Sequence, residues 1–271
     1  MQEAIWAIGC ALLAGVAAVA LTPTLRVPPL LRTNYAGRDV PTAGGVCVLL
    51  AFGAIVAVAI AWNPTRNWYF VPPLLALAFG FGLLGLFDDV VGTHAARGWR
   101  GHYRALQEGQ LSSGAVKLIG GLLLAWAVSF PFSESLLGRL VCVVIVAGCA
   151  NAANLLDLAP ARTTKVAALV VVVTALLRGG LYAGHPALWF VAGAVGLAPF
   201  ELREQLMLGD TGANALGAVV GFELLFTSPG VRLIIAAIVI ALNVAGELVS
   251  FSAVIERVAP LRALDRLGRR P

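Results

Sequence analysis

Hydrophobic residues occur in long uninterrupted runs along this chain, and polar residues are concentrated in the short segments between them. Most runs are about 18–23 residues long, which is the length that a helix needs to cross roughly 30 Å of hydrocarbon. They lack the period-two alternation of membrane β-strands. Only helices or closed barrels satisfy their backbone hydrogen bonds in lipid. The pattern therefore predicts an all-α, polytopic helical membrane protein.

The runs predict about nine transmembrane helices. Their expected positions are 4–25, 41–62, 70–87, 114–131, 136–154, 165–182, 186–200, 213–228 and 231–254. After these runs the pattern changes to the basic string ERVAPLRALDRLGRR at 256–270. We therefore divide the chain into a single transmembrane domain, 1–255, and a basic amphipathic tail, 256–271.

Composition supports the membrane class. Of the 271 residues, 59% are hydrophobic and 12% are charged, whereas a soluble domain has about 25% charged residues. The four cysteines lie inside apolar runs without metal-ligand spacing, so we interpret them as buried apolar side chains. The net charge of +5 reflects the distribution of basic residues between the loops and does not indicate nucleic-acid binding.

Basic residues are distributed unevenly between the two sets of connecting loops. One set, together with the tail, holds 15 of the 19 lysines and arginines, and the other holds Arg66, Arg139, Arg178 and Arg232. Cytoplasmic loops of membrane proteins carry the excess of positive charge. We therefore predict that the N-terminus lies outside and the C-terminus lies in the cytoplasm.

Two adjacent carboxylates, Asp88 and Asp89, end the third apolar run. Like charges repel, and the negative end of a helix dipole further disfavours carboxylates there. A solvated helix end is the simple interpretation of such a pair. A compensating cation is the alternative, and a metal ion is a good candidate.

Other polar strings are expected on the same side of the membrane. Asp39 lies in GRDVPTAGG, Lys117 in SSGAVKLIGG, Asp157 in NAANLLDLAPAR and Asp210 in MLGDTGANALG. Mg²⁺ in proteins is usually bound by one or two carboxylates and shares its other positions with phosphate and water. Glycines beside Asp210 allow close approach of a ligand, and a helix N-terminus suits phosphate. Together the strings predict a magnesium–phosphate site, which would be an active site on the cytoplasmic face of the transmembrane domain, the same side as the tail.

The strings DVPTAGG, GLFDD, NAANLLD and LGDTGAN resemble, in the same order, those of the polyprenyl-phosphate sugar-1-phosphate transferase superfamily, over about residues 35–220. This superfamily includes phospho-N-acetylmuramoyl-pentapeptide transferase and the undecaprenyl-phosphate N-acetylglucosamine-1-phosphate transferases. The resemblance implies Mg²⁺-dependent transfer of a sugar phosphate from a UDP-sugar to a polyprenyl phosphate, with release of UMP. Mn²⁺ is an alternative metal. It also implies the bacterial plasma membrane, the first membrane step of a cell-envelope polymer, and allows a homodimer.

The resemblance assigns expected roles to individual residues. It implies catalytic roles for Asp88, Asp89, Lys117 and Asp157, and metal binding by Asp210 helped by Asp89 or Asp157. The matching strings also supply candidate substrate-binding residues, namely Asp39, Asn151, Asn154, Gly209, Thr211 and Asn214. Asp39 could instead pair with Arg38 or cap a helix.

The chain departs from the superfamily pattern in three places. Pro160 stands where a second loop aspartate is usual, Met207 stands where an aromatic residue stacks on uracil, and the histidine motif near the C-terminus is missing. A non-catalytic relative that binds or transports a polyprenyl-phosphate lipid is therefore an alternative. The string DLAPAR also begins like a CDP-alcohol phosphotransferase motif, but no acidic residue follows at the required spacing, so that function is rejected.

The tail allows two interpretations. Leu261, Leu264 and Leu267 recur at helical spacing between arginines, which is typical of a short amphipathic helix on an anionic membrane surface. Alternatively, Arg262 and Arg266 bind the nucleotide diphosphate in place of the missing histidines, because arginine binds phosphate bidentately.

Overall fold

The computed structural model of the protein describes residues 2–34, 37–92, 112–177 and 186–269. Its described part is predominantly helical, as expected. The helices are α1 (Gln2–Leu25), α2 (Gly45–Trp62), α3 (Val71–Val91), α4 (Ser113–Ser129), α5 (Leu136–Leu156), α6 (Arg162–Leu177), α7 (Ala187–Leu202), α8 (Gly209–Leu224), α9 (Pro229–Leu248), α10 (Phe251–Arg257) and α11 (Ala259–Arg266).

Six helices in the described part are long and apolar enough to cross a membrane, namely α1 to α5 and α9, where α4 is extended by a short 3₁₀ turn to Phe132. This confirms a multi-pass helical membrane protein. Each predicted span overlaps a helix. However, α6, α7 and α8 have only 16 residues each, which is shorter than a perpendicular span requires. The count of nine spans and the orientation of the termini therefore stay predictions.

Several predicted boundaries are wrong: the eighth span was expected at 213–228, for example, but α8 is Gly209–Leu224. Two further differences have a clear structural cause. The second span was expected from residue 41, but α2 begins at Gly45 because Asp39–Pro41 pairs with Leu31–Thr33 in a two-stranded antiparallel sheet. The last span was expected to reach residue 254, but α9 ends at Leu248. Val249 is extended, and Ser250 then caps α10. The tail therefore begins structurally near residue 250 rather than at 256.

The helix α8 is the central element of the fold, and it packs most extensively against α3 and α5. It is buried almost along its whole length because its sequence is rich in glycine and alanine, which let neighbouring backbones approach closely. A methyl group on Gly85 of α3 would overlap the backbone of Asp210, and one on Gly45 of α2 would overlap Gly212. The Gly85 contact holds the start of α8 against α3, and the Gly45 contact holds it against α2.

The far end of the bundle, where α3 begins, has its own polar cluster. Arg66 Nη2 lies 2.7 Å from Glu3 Oε1, and the Trp189 indole donates to Glu3 Oε2 at 3.1 Å. Asp88 and Asp89 are at the other end of α3. Asp88 and Asp89 therefore lie at the opposite end of the bundle from Arg66, one of the four basic residues in the less basic set of loops.

Candidate active site

Lys117 joins two of the predicted carboxylates. Its ammonium group lies 2.7 Å from Asp88 Oδ2 and 2.5 Å from Asp210 Oδ2. The three side chains come from α4, α3 and α8, and each is largely but not completely buried. Because α8 is held against α3 by close backbone contact, two carboxylates far apart in sequence share one cation. The structure thus brings together Asp88, Lys117 and Asp210 as a partly accessible polar centre.

Asp89 makes a different set of contacts from its neighbour. Its Oδ2 accepts from the amide and the hydroxyl of Thr211 at 2.9 and 2.7 Å, and its Oδ1 accepts from the amide of Asp210 at 3.2 Å. These are N-terminal amides of α8, where a helix has donors without intrahelical partners and a partial positive charge. Asp89 therefore caps α8 from another helix, while Asp88 faces Lys117.

Replacing Asp89 with asparagine should lower the free energy of unfolding by about 1–3 kcal/mol. The asparagine side chain carries no negative charge, and one of its two ends is an NH₂ donor that would face the backbone N–H donors of α8. Thermal unfolding in detergent measures the loss. Thr211→Val removes only the 2.7 Å hydroxyl bond and should lose less. Equal unfolding temperatures for wild type and Asp89→Asn would contradict the capping role.

Asp157 lies on the other side of the α8 N-terminus. The helix α5 ends at Leu156, so Asp157 does not continue the helical face of Asn151 and Asn154. Its Oδ2 accepts from the Gly209 amide at 3.0 Å. Gly209 has φ +69° and lies against the Thr42 carbonyl, so a side chain there would be strained and would clash. This glycine lets Asp157 reach the residue before Asp210.

The negative charges around Asp157 favour binding of a cation nearby. The surrounding protein excludes water from its carboxyl, and the charges of Glu201, Asp210 and Asp89 lie close by. These effects raise its pKa well above the ordinary value.

An amide chain connects the remaining strings to the same centre. Asn154 Nδ2 donates to Asn214 Oδ1 at 3.3 Å, and Asn214 Nδ2 donates to the Asp210 carbonyl at 2.7 Å. Asn151 is directed elsewhere, since its Nδ2 donates to Asn243 of α9 at 2.6 Å. Asn154 and Asn214 thus support the backbone at Asp210, whereas Asn151 joins two helices.

Three other predicted binding residues do not contact the centre. Asp39 Oδ1 accepts from Thr33 at 2.8 Å across the small sheet, so it neither caps a helix nor pairs with Arg38, which lies 3.3 Å from Glu204. Arg266 pairs with Glu256 on the exposed surface of the tail, and Arg262 donates to the Glu256 carbonyl at 3.2 Å. Any role of these residues toward substrate stays a prediction.

A small pocket lies beside Asp157. Its apolar walls include Leu158, Pro160 and Met207, and Glu201 lines it as well. Glu201 is only 3% exposed; its Oε1 accepts from the Leu208 amide at 3.1 Å, but Oε2 has no partner of good hydrogen-bond geometry in the described part of the chain. The Ala161 backbone and the Thr164 side chain nevertheless interact with this carboxyl, so the pocket contains an acceptor that the protein already satisfies in part.

Sequence reasoning missed Glu201 and Arg32. Arg32 was counted only for topology, yet its Nη2 donates to the Asp89 carbonyl at the C-terminal end of α3 at 2.9 Å. Glu201 follows an apolar run, and a lone acid in that position was a usable signal. The Arg32 contact could not have been derived from spacing, because Asp89 is 57 positions away.

The carboxylates of this centre fit the kind of Mg²⁺ site in which the protein supplies only one or two ligands. In the described residues, no group of three or more His, Cys, Asp or Glu side chains is placed to hold a metal ion. Asp88 and Asp210 nevertheless share one cation and are partly accessible. Mg²⁺ requires only one or two carboxylates when phosphate and water complete its shell. Asp210 is the residue that would hold it, and help from Asp89 or Asp157 stays a prediction.

Comparison with known proteins identifies the family of this chain. The profile of the family described as Glycosyl transferase family 4 matches residues 71–228, more than half of the chain. Phospho-N-acetylmuramoyl-pentapeptide-transferase of Chlamydia pneumoniae is 27% identical over 253 residues, covering 77% of this chain and 71% of the relative. The protein of that name from Francisella tularensis subsp. tularensis (strain WY96-3418) is 28% identical over 280 residues, covering 85% of this chain and 73% of the relative. The chain therefore belongs to glycosyl transferase family 4, within the polyprenyl-phosphate sugar-1-phosphate transferase superfamily.

Proposed function

We propose that this membrane protein transfers a sugar-1-phosphate from a nucleotide sugar, with UDP as the expected nucleotide, to a polyprenyl phosphate at the cytoplasmic face of the membrane. The observation that carries the proposal is the Lys117 ammonium held between Asp88 and Asp210 at the N-terminus of α8. Family membership and the names of the relatives support the same chemistry.

The reaction joins two anions, so its main demand is charge neutralisation. A non-bridging oxygen of the polyprenyl phosphate forms a bond to the phosphorus that carries the sugar. The bond from that phosphorus to the bridging oxygen breaks, and the nucleoside monophosphate leaves with the electron pair. A phosphate monoester has a second pKa of about 6, so the attacking group is largely dianionic at pH 7 and needs little help from a base.

The residues of the centre divide this work between them. Lys117 binds a phosphate oxygen and offsets its charge, and Asp88 orients both Lys117 and the acceptor. Asp210 would hold the metal at the start of α8, whose dipole also favours anions. Mg²⁺, when bound, supplies Lewis-acid stabilisation of the charge that develops on the transferring phosphate and the leaving group.

The pocket beside Asp157 is the proposed place for the base of the nucleotide. A base has flat apolar faces and N–H donors at its edge. The pocket offers apolar walls, including Met207, and the acceptor Glu201 Oε2. Met207 packs against a ring without aromatic stacking, which a flexible thioether allows.

A release assay tests the proposed function. Purified protein is incubated with undecaprenyl phosphate, Mg²⁺ and a panel of UDP-sugars and other nucleotide sugars, and released nucleoside monophosphate is measured. Release is expected only when lipid phosphate, donor and metal are all present. Lipid binding without release from any donor would contradict the proposal and identify the non-catalytic alternative.

The proposed membrane face makes a separate prediction. In a chain whose native cysteines are replaced by alanine, a cysteine at position 160 should react with an impermeant reagent only after the membrane is opened, because the loops with Asp157 and Asp210 belong to the basic-rich set. A cysteine at position 66 should react from outside intact cells. The reverse labelling pattern would exclude access to a cytosolic nucleotide sugar.

A further inference from the structure

The tail contacts the transmembrane domain at the start of α6, where the sequence places two basic residues in an unfavourable electrostatic position. Arg162 and Lys165 lie in the first turn of α6, where the positive end of the helix dipole disfavours cations. Arg162 is nevertheless only 6% exposed. Two cations at a helix N-terminus, one of them buried, require an anionic partner from elsewhere in the chain.

That partner is the C-terminal end of α11. Arg162 donates from Nε and Nη2 to the two carboxylate oxygens of Asp265 at 2.8 and 3.0 Å, and from Nη1 to Ser252 of α10 at 2.9 Å. Lys165 donates to the carbonyls of Asp265 and Leu267 at 2.8 and 2.7 Å. The last carbonyls of a helix have no intrahelical partners and carry partial negative charge. The start of α6 and the end of α11 therefore complement each other.

The Asp265 carboxylate is stabilised as an anion in this contact. Burial alone would raise its pKa, but the hydrogen bonds and charge of Arg162, together with the charge of Arg269, outweigh burial and lower the pKa. Asp265 itself is 8% exposed. We call the Arg162–Asp265 pair and the Lys165 contacts the tail clasp.

The tail clasp adjoins the loop that carries Asp157. Only Leu158 to Ala161 separate Asp157 from Arg162, and Ala161 has φ +54°, a strained backbone conformation for a residue with a side chain. Thr163, directly after Arg162, donates to the Ala153 carbonyl at 3.2 Å and lies 3.4 Å from Asp157 Oδ1. The clasp thus holds one end of a strained loop, and the Gly209 bond to Asp157 holds the other.

We propose that the tail clasp positions the Asp157 loop, so that Arg162 and Asp265 are positioning residues for the centre at Asp210, although neither contacts it. This inference rests on the proposed function only where its test measures activity. It assigns the tail a role different from phosphate binding by Arg262 or Arg266. Those two side chains are engaged with Glu256 on the exposed side of the tail.

The test compares full-length Asp265→Asn with a matched variant of the same tail. Asp265→Asn keeps the side-chain volume and removes the charge that Arg162 requires. Glu256→Gln removes the exposed Glu256–Arg266 pair instead. Hydrogen–deuterium exchange of peptides covering 157–163 should increase at least tenfold in rate in Asp265→Asn, while α3 and α8 stay protected, and it should not change in Glu256→Gln.

Activity provides the second readout. The turnover number of Asp265→Asn should fall at least tenfold, that of Asp265→Glu should fall less than threefold because a carboxylate is retained, and that of Glu256→Gln should be unchanged. Unchanged exchange at 157–163 in Asp265→Asn, or equal losses in both tail variants, would overturn the proposal. If the wild type released no nucleotide from any donor, the proposed function would fail, and the exchange experiment would still decide the clasp.

Discussion

Replacing Asp210 with asparagine is expected to lower turnover by about 10²–10³-fold or more while the protein stays folded. The Asp210 carboxylate shares the Lys117 ammonium with Asp88 and is the proposed metal ligand at the start of α8. The variant loses a negative ligand where the metal must bind, so both metal affinity and transition-state stabilisation decrease. Asp88→Asn should have an effect of similar size. Nucleotide release at limiting and saturating Mg²⁺ measures the loss.

Asp39→Asn is the control for the Asp210 experiment. Asp39 is an exposed carboxylate that contacts Thr33, away from Lys117, and a milder loss is expected. The unfolding temperature of each variant shows whether it remains folded. Wild-type turnover of Asp210→Asn at limiting Mg²⁺ would remove Asp210 from the centre.

Replacing Lys117 with glutamine is the second change with a large expected effect, a loss of about 10²-fold in kcat/KM. Glutamine can still donate hydrogen bonds but cannot offset the charge of two carboxylates and a phosphate. Without the ammonium, Asp88 and Asp210 repel each other. Addition of Mg²⁺ should therefore raise the unfolding temperature of Lys117→Gln more than that of the wild type.

Arg139→Gln is the control for Lys117→Gln. It removes a cation near the start of α5, at the end of that helix remote from Asp157, and the activity of this variant should be unchanged. There Arg139 contacts the Ser133 carbonyl and the Phe130 ring. The larger stabilisation of Lys117→Gln by Mg²⁺ separates loss of charge from loss of packing, because a packing defect alone would not make stability depend on the metal. Equal stabilisation of both proteins by Mg²⁺, or full activity of Lys117→Gln, would show that Lys117 is not part of the centre.

The class of the protein and the identity of the strings that form the centre could be predicted from sequence. Apolar runs of membrane-spanning length can be read directly, because every backbone group in lipid must be satisfied within a helix. Asp88, Lys117 and Asp210 were predicted to act together and are in contact. The fifth span was expected to end at 154, close to the observed end of α5 at Leu156. Whether Asp157 shares the helical face of Asn151 and Asn154 could not be predicted, because the spacing also fits a continuing helix.

The division of labour between Asp88 and Asp89 could not be predicted, because adjacent residues have almost the same sequence environment. Successive side chains on a helix point about 100° apart. One therefore reaches Lys117 of α4, and the other reaches the first amides of α8. Which neighbour each side chain meets depends on how α3 packs, and no spacing within GLFDD contains that information.

The sequence by itself determined that this chain is a helical membrane protein with acidic strings at the helix ends, because hydrophobic length and local charge are properties of single segments. Only the tertiary structure decided that Asp89 caps α8, that Glu201 lines a pocket beside Asp157, and that Asp265 of the tail holds Arg162. The Arg162–Asp265 and Asp89–Thr211 contacts join residues 103 and 122 positions apart. The Asp89 contact exists because glycine- and alanine-rich surfaces let α8 approach α3 closely enough for short polar side chains to meet.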